Sequence, residues 1–332
     1  MINYTSMKRV LASAYFRIIV SIALISILLY IMRGKYAVIV SALKGTNLGI
    51  FGMAVAIFFV AIVLSSCRLL LIIRAQSGGV AFKFREAFSL TIIGYFFNNF
   101  LPTAIGGDMA KAYYLSKMTS DNIGSITSIF IDRLIGLATM IFMASAALLF
   151  IQSSIIDPSV RKMLYFITFL AVLAVVFMAN RNFARKFSWL LFLVKPFKDK
   201  LKDAYNAAHN YKNNKVLLAK TLAISVASQL FFYAAFGMTA FSIGYSLSSM
   251  DILLRMPVVG MMSLLPSLNG LGLREGATVL LFGPLIGPDN AFAVSILWIV
   301  VLLIASLAGG LIYAISPQFR KMKYSFVCLV WS

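Results

Sequence analysis

This chain of 332 residues is short of charge, of acid and of cysteine. Only 12% of its residues are charged while 61% are hydrophobic, and the mean hydropathy is +0.93. A soluble domain carries about 25% charged residues, so a water-soluble globular fold is excluded and the chain is an integral membrane protein. Its two cysteines, Cys67 and Cys328, have no paired or metal-ligand spacing. The one histidine, His209, has no second histidine with which to build a metal site or a triad. Neither a P-loop nor a His-Glu-x-x-His pattern occurs, which removes self-contained ATP hydrolysis and zincin chemistry. No catalytic group, metal or cofactor is expected. Acids number 10 against 30 lysines and arginines, a net charge of +20. In so apolar a chain that excess belongs to loops on the cytoplasmic side of a membrane, not to a nucleic-acid partner.

Long apolar runs fill most of the chain. A span needs about 20 apolar residues to cross roughly 30 Å of hydrocarbon. Full-length candidates lie at 16–32, 48–73, 123–151, 163–179, 216–243 and 291–315. The first follows Lys8 and Arg9 as a signal peptide would, but it ends in Arg33-Gly34-Lys35 instead of a small-residue cleavage site, so it reads as an uncleaved span.

Two further apolar stretches, 87–115 and 250–285, share an unusual design. The first runs through Asn98-Asn99-Phe100-Leu101-Pro102 to Gly106-Gly107-Asp108 and Lys111. The second runs through Leu265-Pro266-Ser267-Leu268-Asn269-Gly270-Leu271-Gly272 to Arg274-Glu275. Proline removes a backbone donor and glycine loosens the chain, so each helix breaks there. Within a bilayer such a break is tolerated only where it is buried in protein or lines a polar cavity. Each stretch is long enough for a helix, a turn and a return helix, which predicts a re-entrant hairpin. A matched pair of interrupted segments, one per half, is the pattern of a secondary transporter's binding site.

Lysine and arginine set the orientation. The 180–215 segment holds Arg181, Arg185, Lys186, Lys195, Lys198, Lys200, Lys202, Lys212 and Lys215, and is expected in the cytoplasm. Arg320, Lys321 and Lys323 near one end, and Lys8 and Arg9 near the other, put both termini on that side. The expected fold is all-α and polytopic: one membrane domain over 1–320, six full spans and two re-entrant hairpins, followed by a cytoplasmic tail at 321–332. Its halves, about 1–151 and 163–320, each contain three crossings, an odd number, so they form an inverted repeat. The alternative is eight plain spans with both Leu-Pro sites as kinks. The 180–215 segment contains the run 187–194, Phe-Ser-Trp-Leu-Leu-Phe-Leu-Val. It reads either as an interfacial segment on anionic lipid or as an ordinary positive-inside loop with a buried patch.

Charge at membrane depth costs roughly 2.5–3.5 kcal/mol per residue and marks functional paths. Asp132 lies nine positions into the third expected span, about 13 Å deep at 1.5 Å per residue. Adjacent helical residues do not face each other, so Asp132 and Arg133 each need a partner elsewhere. Candidates are Asp108 and Lys111 in the first hairpin and Arg274 and Glu275 in the second, a near-neutral set if they converge. Arg68 and Arg255 lie nearer span ends, where long side chains can snorkel to headgroups. A plainer role exists for each group. Asp108 could be the N-cap of a return helix paired with Lys111, and the other pairs could be packing clamps. Asn98, Asn99 and Asn269 could cap the turns or contact a substrate. Helix N-termini together with Lys111, Arg133 and Arg274 suit an anion such as a lipid phosphate.

These elements, with Asp132-Arg133-Leu134-Ile135-Gly136-Leu137 and the run through Glu275-Gly276-Ala277, resemble the lysylphosphatidylglycerol synthase transmembrane-domain family, also described as flippase-like. The cation after Gly-Gly-Asp is often arginine there; Lys111 keeps the charge and loses the bidentate geometry. The resemblance implies a multi-pass plasma-membrane protein that translocates lipid: an anionic phospholipid, an aminoacyl-phospholipid or a lipid-linked phosphate or sugar. Larger relatives carry a soluble aminoacyltransferase, for which the segment after Ile315 is too short, so lysyltransferase activity is not expected. The alternative is a membrane component of aminoacyl-phospholipid or glycolipid synthesis. It would be either a transferase using Asp108, Asp132 or Glu275 as base, or a non-catalytic subunit that recruits a soluble synthase or glycan-assembly enzyme.

Overall fold

A computed structural model describes residues 43–76, 82–100, 106–150, 214–263 and 270–316, with single positions 41, 162, 165, 166, 169 and 319. Among the described residues eight helices follow one another: α1 (Leu48–Gln76), α2 (Phe84–Phe100), α3 (Gly106–Thr119), α4 (Asn122–Phe150), α5 (Lys215–Phe241), α6 (Ser249–Met262), α7 (Leu273–Ile286) and α8 (Pro288–Ile315). Polar residues fix their starts by accepting amides that a helix cannot pair internally. Asn47 Oδ1 accepts from the Gly49 and Ile50 amides at 3.0 and 3.1 Å. Asp121 Oδ1 accepts from Gly124 at 2.9 Å, Asn214 Oδ1 from Leu217 at 3.1 Å, and Ser248 Oγ from Asp251 at 3.1 Å. α8 begins with Pro288, after Gly287 at φ +86°, where a missing N–H costs nothing.

Among the described residues, four helices are long and apolar enough to cross a membrane: Leu48–Gln76, Asn122–Met143, Lys215–Phe241 and Pro288–Ile315. They coincide with four of the six expected spans. The chain is a polytopic α-helical membrane protein, and large apolar side chains such as Met53, Phe142, Leu303, Leu307 and Leu311 stay exposed, as a lipid-facing surface requires. The expected spans at 16–32 and, but for positions 165, 166 and 169, 163–179 lie outside the described residues. So do nearly all of the 180–215 segment and the 321–332 tail.

The other four helices have 17, 14, 14 and 14 residues. At 1.5 Å per residue they reach about 25 Å and 21 Å, short of a full crossing of about 30 Å. Both Pro/Gly stretches therefore divide into two short helices. α2 and α3 run antiparallel: the Gly107 amide donates to Asn98 Oδ1 at 2.8 Å, and the Lys111 stem lies over Gly94. A Cβ at Gly107 would collide with the Gly94 carbonyl oxygen. The first stretch is thus a turn-back of the chain and not a kinked helix. In the second, α6 and α7 pack on each other, and Gly270, at φ +79°, abuts Ser263 across the turn.

The order long, short, short, long occurs twice, and the two copies pack as equivalents. α1 and α5, the first long helix of each copy, form the most extensive helix–helix contact. They are antiparallel: the Asn47 amide donates to the Ser242 carbonyl at 2.8 Å, Ser65 meets Ser228 at 2.8 Å, and Arg68 reaches Ser225 at 2.7 Å. Exchanging α1 to α4 for α5 to α8 maps each principal contact onto another. The packing of α8 on α2 answers that of α4 on α6, and α3 on α4 answers α7 on α8. Gly309 makes the α8–α2 approach possible, since a Cβ there would strike the Ile92 carbonyl oxygen. An aromatic cluster of Phe58, Phe232, Phe236 and Trp298, with ring centroids 5.1–5.7 Å apart, fills the space between α1, α5 and α8.

Candidate functional site

Asp108 and Glu275 occupy the same place in the two copies, the third residue of a return helix. Their surroundings differ. Asp108 Oδ1 pairs with Lys111 Nζ at 3.4 Å, and its Oδ2 lies 3.3 Å from Arg133 Nε on α4. That second approach is an ion pair without an aligned hydrogen bond, so Oδ2 is buried and accepts none. Asp132, on the neighbouring face of α4, turns to α1 and accepts from Arg68 Nε at 2.7 Å; Arg68 Nη1 also donates to Ser225 Oγ on α5. Asp132 and Arg133 thus find separate partners, as their adjacency in a helix demands. Tyr95 of α2 lies within electrostatic reach of Arg68, Asp108, Asp132 and Arg133. These side chains form one cluster.

Arg68 corrects its expected role. It is 8% exposed and bonded to Asp132 and Ser225, and it does not snorkel. The helix runs past 73 to Gln76, which leaves Arg68 about 12 Å from the helix end, too deep to prefer headgroups. Arg255 is likewise buried, paired with Asp251 one turn back.

Arg274 and Glu275 bond to each other: Nε and Nη2 donate to Glu275 Oε1 at 3.0 and 2.8 Å. They are sequence neighbours, yet they meet because Glu275 folds back to take the Gly272 amide on Oε2 at 2.5 Å, the glutamate arm of a capping box. This leaves Oε1 beside Arg274. Both residues are buried, and α7 packs principally on α6 and α8. The structure therefore brings Asp108, Lys111, Asp132 and Arg133 together, and pairs Arg274 with Glu275 on a different helix. Asn98 caps the first turn through Gly107, Asn99 is exposed on α2, and Gly106 opens α3. Gly270 and Gly272 adopt positive φ values of +79° and +83° in the second turn, which suit glycine. Pro102, Pro266 and Asn269 lie outside the described residues. Among the described residues, no three of His, Cys, Asp and Glu are placed to hold a metal ion.

The sequence profile of the family described as the lysylphosphatidylglycerol synthase TM region matches residues 18–310. The chain belongs to this family. Membership makes it a membrane protein related to lipid synthesis or translocation. The matched stretch in this lysylphosphatidylglycerol synthase TM-region protein contains both broken segments and every member of the charged cluster. No curated protein matches the chain, and no solved structure matches it.

Sequence reasoning missed Arg68, Tyr95 and Ser225 as cluster members. Arg68 carried a signal, since an ionisable residue deep in a spanning helix is a site candidate by default. Tyr95 and Ser225 carried none.

Proposed function

We propose that this protein is a lipid translocase of the plasma membrane that carries an anionic headgroup through the cluster of Asp108, Lys111, Asp132 and Arg133. Both termini lie in the cytoplasm. The observation that carries the proposal is the weakness of two contacts within a buried polar cluster. Arg68 and Asp132 are locked at 2.7 Å, whereas Lys111 and Arg133 hold Asp108 at 3.4 and 3.3 Å. Arg133 has a side chain 39% exposed, so a phosphate can take its guanidinium without unmaking the packed pair beside it. Asp108 then keeps both cations in place when no headgroup is bound.

The halves are read as an inverted repeat and α2–α3 and α6–α7 as re-entrant hairpins entering from opposite faces. Antiparallel α1 and α5, the equivalence of the two copies in packing, and the shortness of all four hairpin helices support this. Alternating access follows when one half rocks against the other around the central charges. A transferase would need Asp108, Asp132 or Glu275 as a free base, and each is tied to a cation. The direct test is reconstitution into vesicles with tail-labelled fluorescent lipids, followed by bleaching of outer-leaflet dye. Loss of fluorescence beyond the outer-leaflet fraction is expected; vesicles no leakier than protein-free ones would reject translocation.

A further inference from the structure

We infer that the joint between α3 and α4 is a binding site for one sodium ion. α3 ends at Thr119 and α4 begins at Asn122, with Ser120 at φ +57° between them. There the end of α1 meets both helices around a cavity with room for about one water-sized body. Its polar lining comes from Gln76, Thr119, Asp121, Ser125 and Ser128, and the two serines are each 2% exposed.

The hydroxyl protons decide what the cavity can hold. Thr119 Oγ1 donates to the Leu115 carbonyl at 2.9 Å, and Ser128 Oγ to the Gly124 carbonyl at 2.7 Å. With the Thr119 proton spent, Ser125 Oγ is the donor in its 3.1 Å contact with Thr119 Oγ1. All three protons are thus committed to protein oxygens, and among the described residues neither serine oxygen accepts a hydrogen bond. Asp121 Oδ1 takes the Gly124 amide at 2.9 Å. Among the described residues its carboxylate has no ion-pair partner. A small cavity bordered by spare acceptors and an unbalanced carboxylate favours a cation and disfavours an anion. Gln76 and Thr119 are the last residues of α1 and α3, so the negative ends of two helix dipoles lie beside it. One carboxylate among neutral oxygens matches a single positive charge; calcium takes more oxygens and more ligand charge.

The site itself goes beyond the translocase reading and does not depend on it, whereas its consequence for transport does. α3 carries Asp108 and Lys111, and α4 carries Asp132 and Arg133. An ion that ties Thr119 and Asp121 to Ser125 and Ser128 fixes α3 against α4. It thereby sets the 3.3 Å approach of Asp108 to Arg133. Ser125, Ser128 and Asp132 recur at helical spacing on one face of α4, so the ion lies on the face that also carries the Arg68–Asp132 pair. Lipid movement through the cluster is then sodium-dependent.

The test uses the purified full chain in detergent with the chlorides of sodium, potassium and choline, at one pH and constant ionic strength so that screening is equal. Sodium alone is expected to raise the unfolding midpoint, by roughly 3–6 °C at about ten times its half-saturating concentration. Asp121→Asn removes the charge and keeps an oxygen to cap α4. This variant and Ser128→Ala are each expected to raise the half-saturating sodium concentration about tenfold or more. Equal midpoints in the three salts, a preference for potassium, or an undiminished sodium response in Asp121→Asn would overturn the site. Should a variant fold poorly, the wild-type salt series still decides. Lipid movement in vesicles, with sodium exchanged for choline on both sides, separates the site from the transport reading. Sodium-selective stabilisation with no lipid movement upholds the site and rejects translocation. Sodium-selective stabilisation with lipid movement equal in both salts upholds the site and rejects its coupling to transport.

Discussion

Replacing either partner of the Arg68–Asp132 pair is expected to destabilise the protein severely, and replacing both is not. Their contact is 2.7 Å and both side chains are about nine-tenths buried. The pair joins α1 to α4, and Ser225 brings in α5. Removing one partner strands a charge in a dry interior, which costs about 3–5 kcal/mol, whereas an apolar pair of similar volume is often neutral. Arg68→Met and Asp132→Leu are each expected to cost that amount. At about 2–4 °C per kcal/mol, the scale for domains of moderate size, the unfolding midpoint falls by roughly 6–20 °C. The double variant should recover to within about 2 kcal/mol of the native protein. The coupling between the sites, measured as a double-mutant cycle by thermal unfolding in detergent, is then at least about 4 kcal/mol. Single variants that lose under about 1 kcal/mol, or a double variant whose loss equals the sum, would show that the pair is not an isolated buried clamp.

Three further outcomes are expected. Gly107→Ala places a methyl group against the Gly94 carbonyl and 2.6 Å from Asn98 Oδ1, and should lower stability by about 1–3 kcal/mol; an unchanged unfolding midpoint would deny the close α2–α3 approach. Ser65→Cys with Ser228→Cys, whose hydroxyls lie 2.8 Å apart, should form a disulfide under mild oxidation in a background lacking Cys67 and Cys328, and failure to cross-link would refute the antiparallel α1–α5 register. Single cysteines at Lys35, Lys162 and Lys198 should react with an impermeant thiol reagent from outside only at the first two; labelling of position 198 would overturn the orientation.

Hydropathy made the four long helices legible, because a span of this length has few alternatives in lipid. Pro102, Gly106 and Gly107, and Pro266, Gly270 and Gly272, marked the breaks, since no continuous helix tolerates such runs. What stayed hidden depended on contacts between distant parts of the chain. Ending the second expected span at 73 put Arg68 three residues nearer the headgroups than the helix does. The rule that adjacent helical residues do not meet held for Asp132 and Arg133, in the middle of α4. It failed for Arg274 and Glu275 in the first turn of α7, where a capping side chain folds backward. Asn98, which could have touched substrate, spends its oxygen on the Gly107 amide. Ser225 and Tyr95 are ordinary residues of apolar helices, and only packing shows what they face.

The most direct test of a headgroup path through Asp108 and Arg133 is the rate of lipid movement in vesicles containing Arg133→Gln, set beside wild type and Arg274→Gln, with thermal stability measured on the same preparations. Arg133 is the most exposed charge of the cluster, so its replacement should leave the unfolding midpoint near wild type. It should slow movement of an anionic lipid by about tenfold, the loss of one charge-assisted hydrogen bond. Arg274→Gln strands Glu275 and should act mainly on stability. Wild-type rates in a stable Arg133→Gln protein would contradict the path and leave the cluster a packing device.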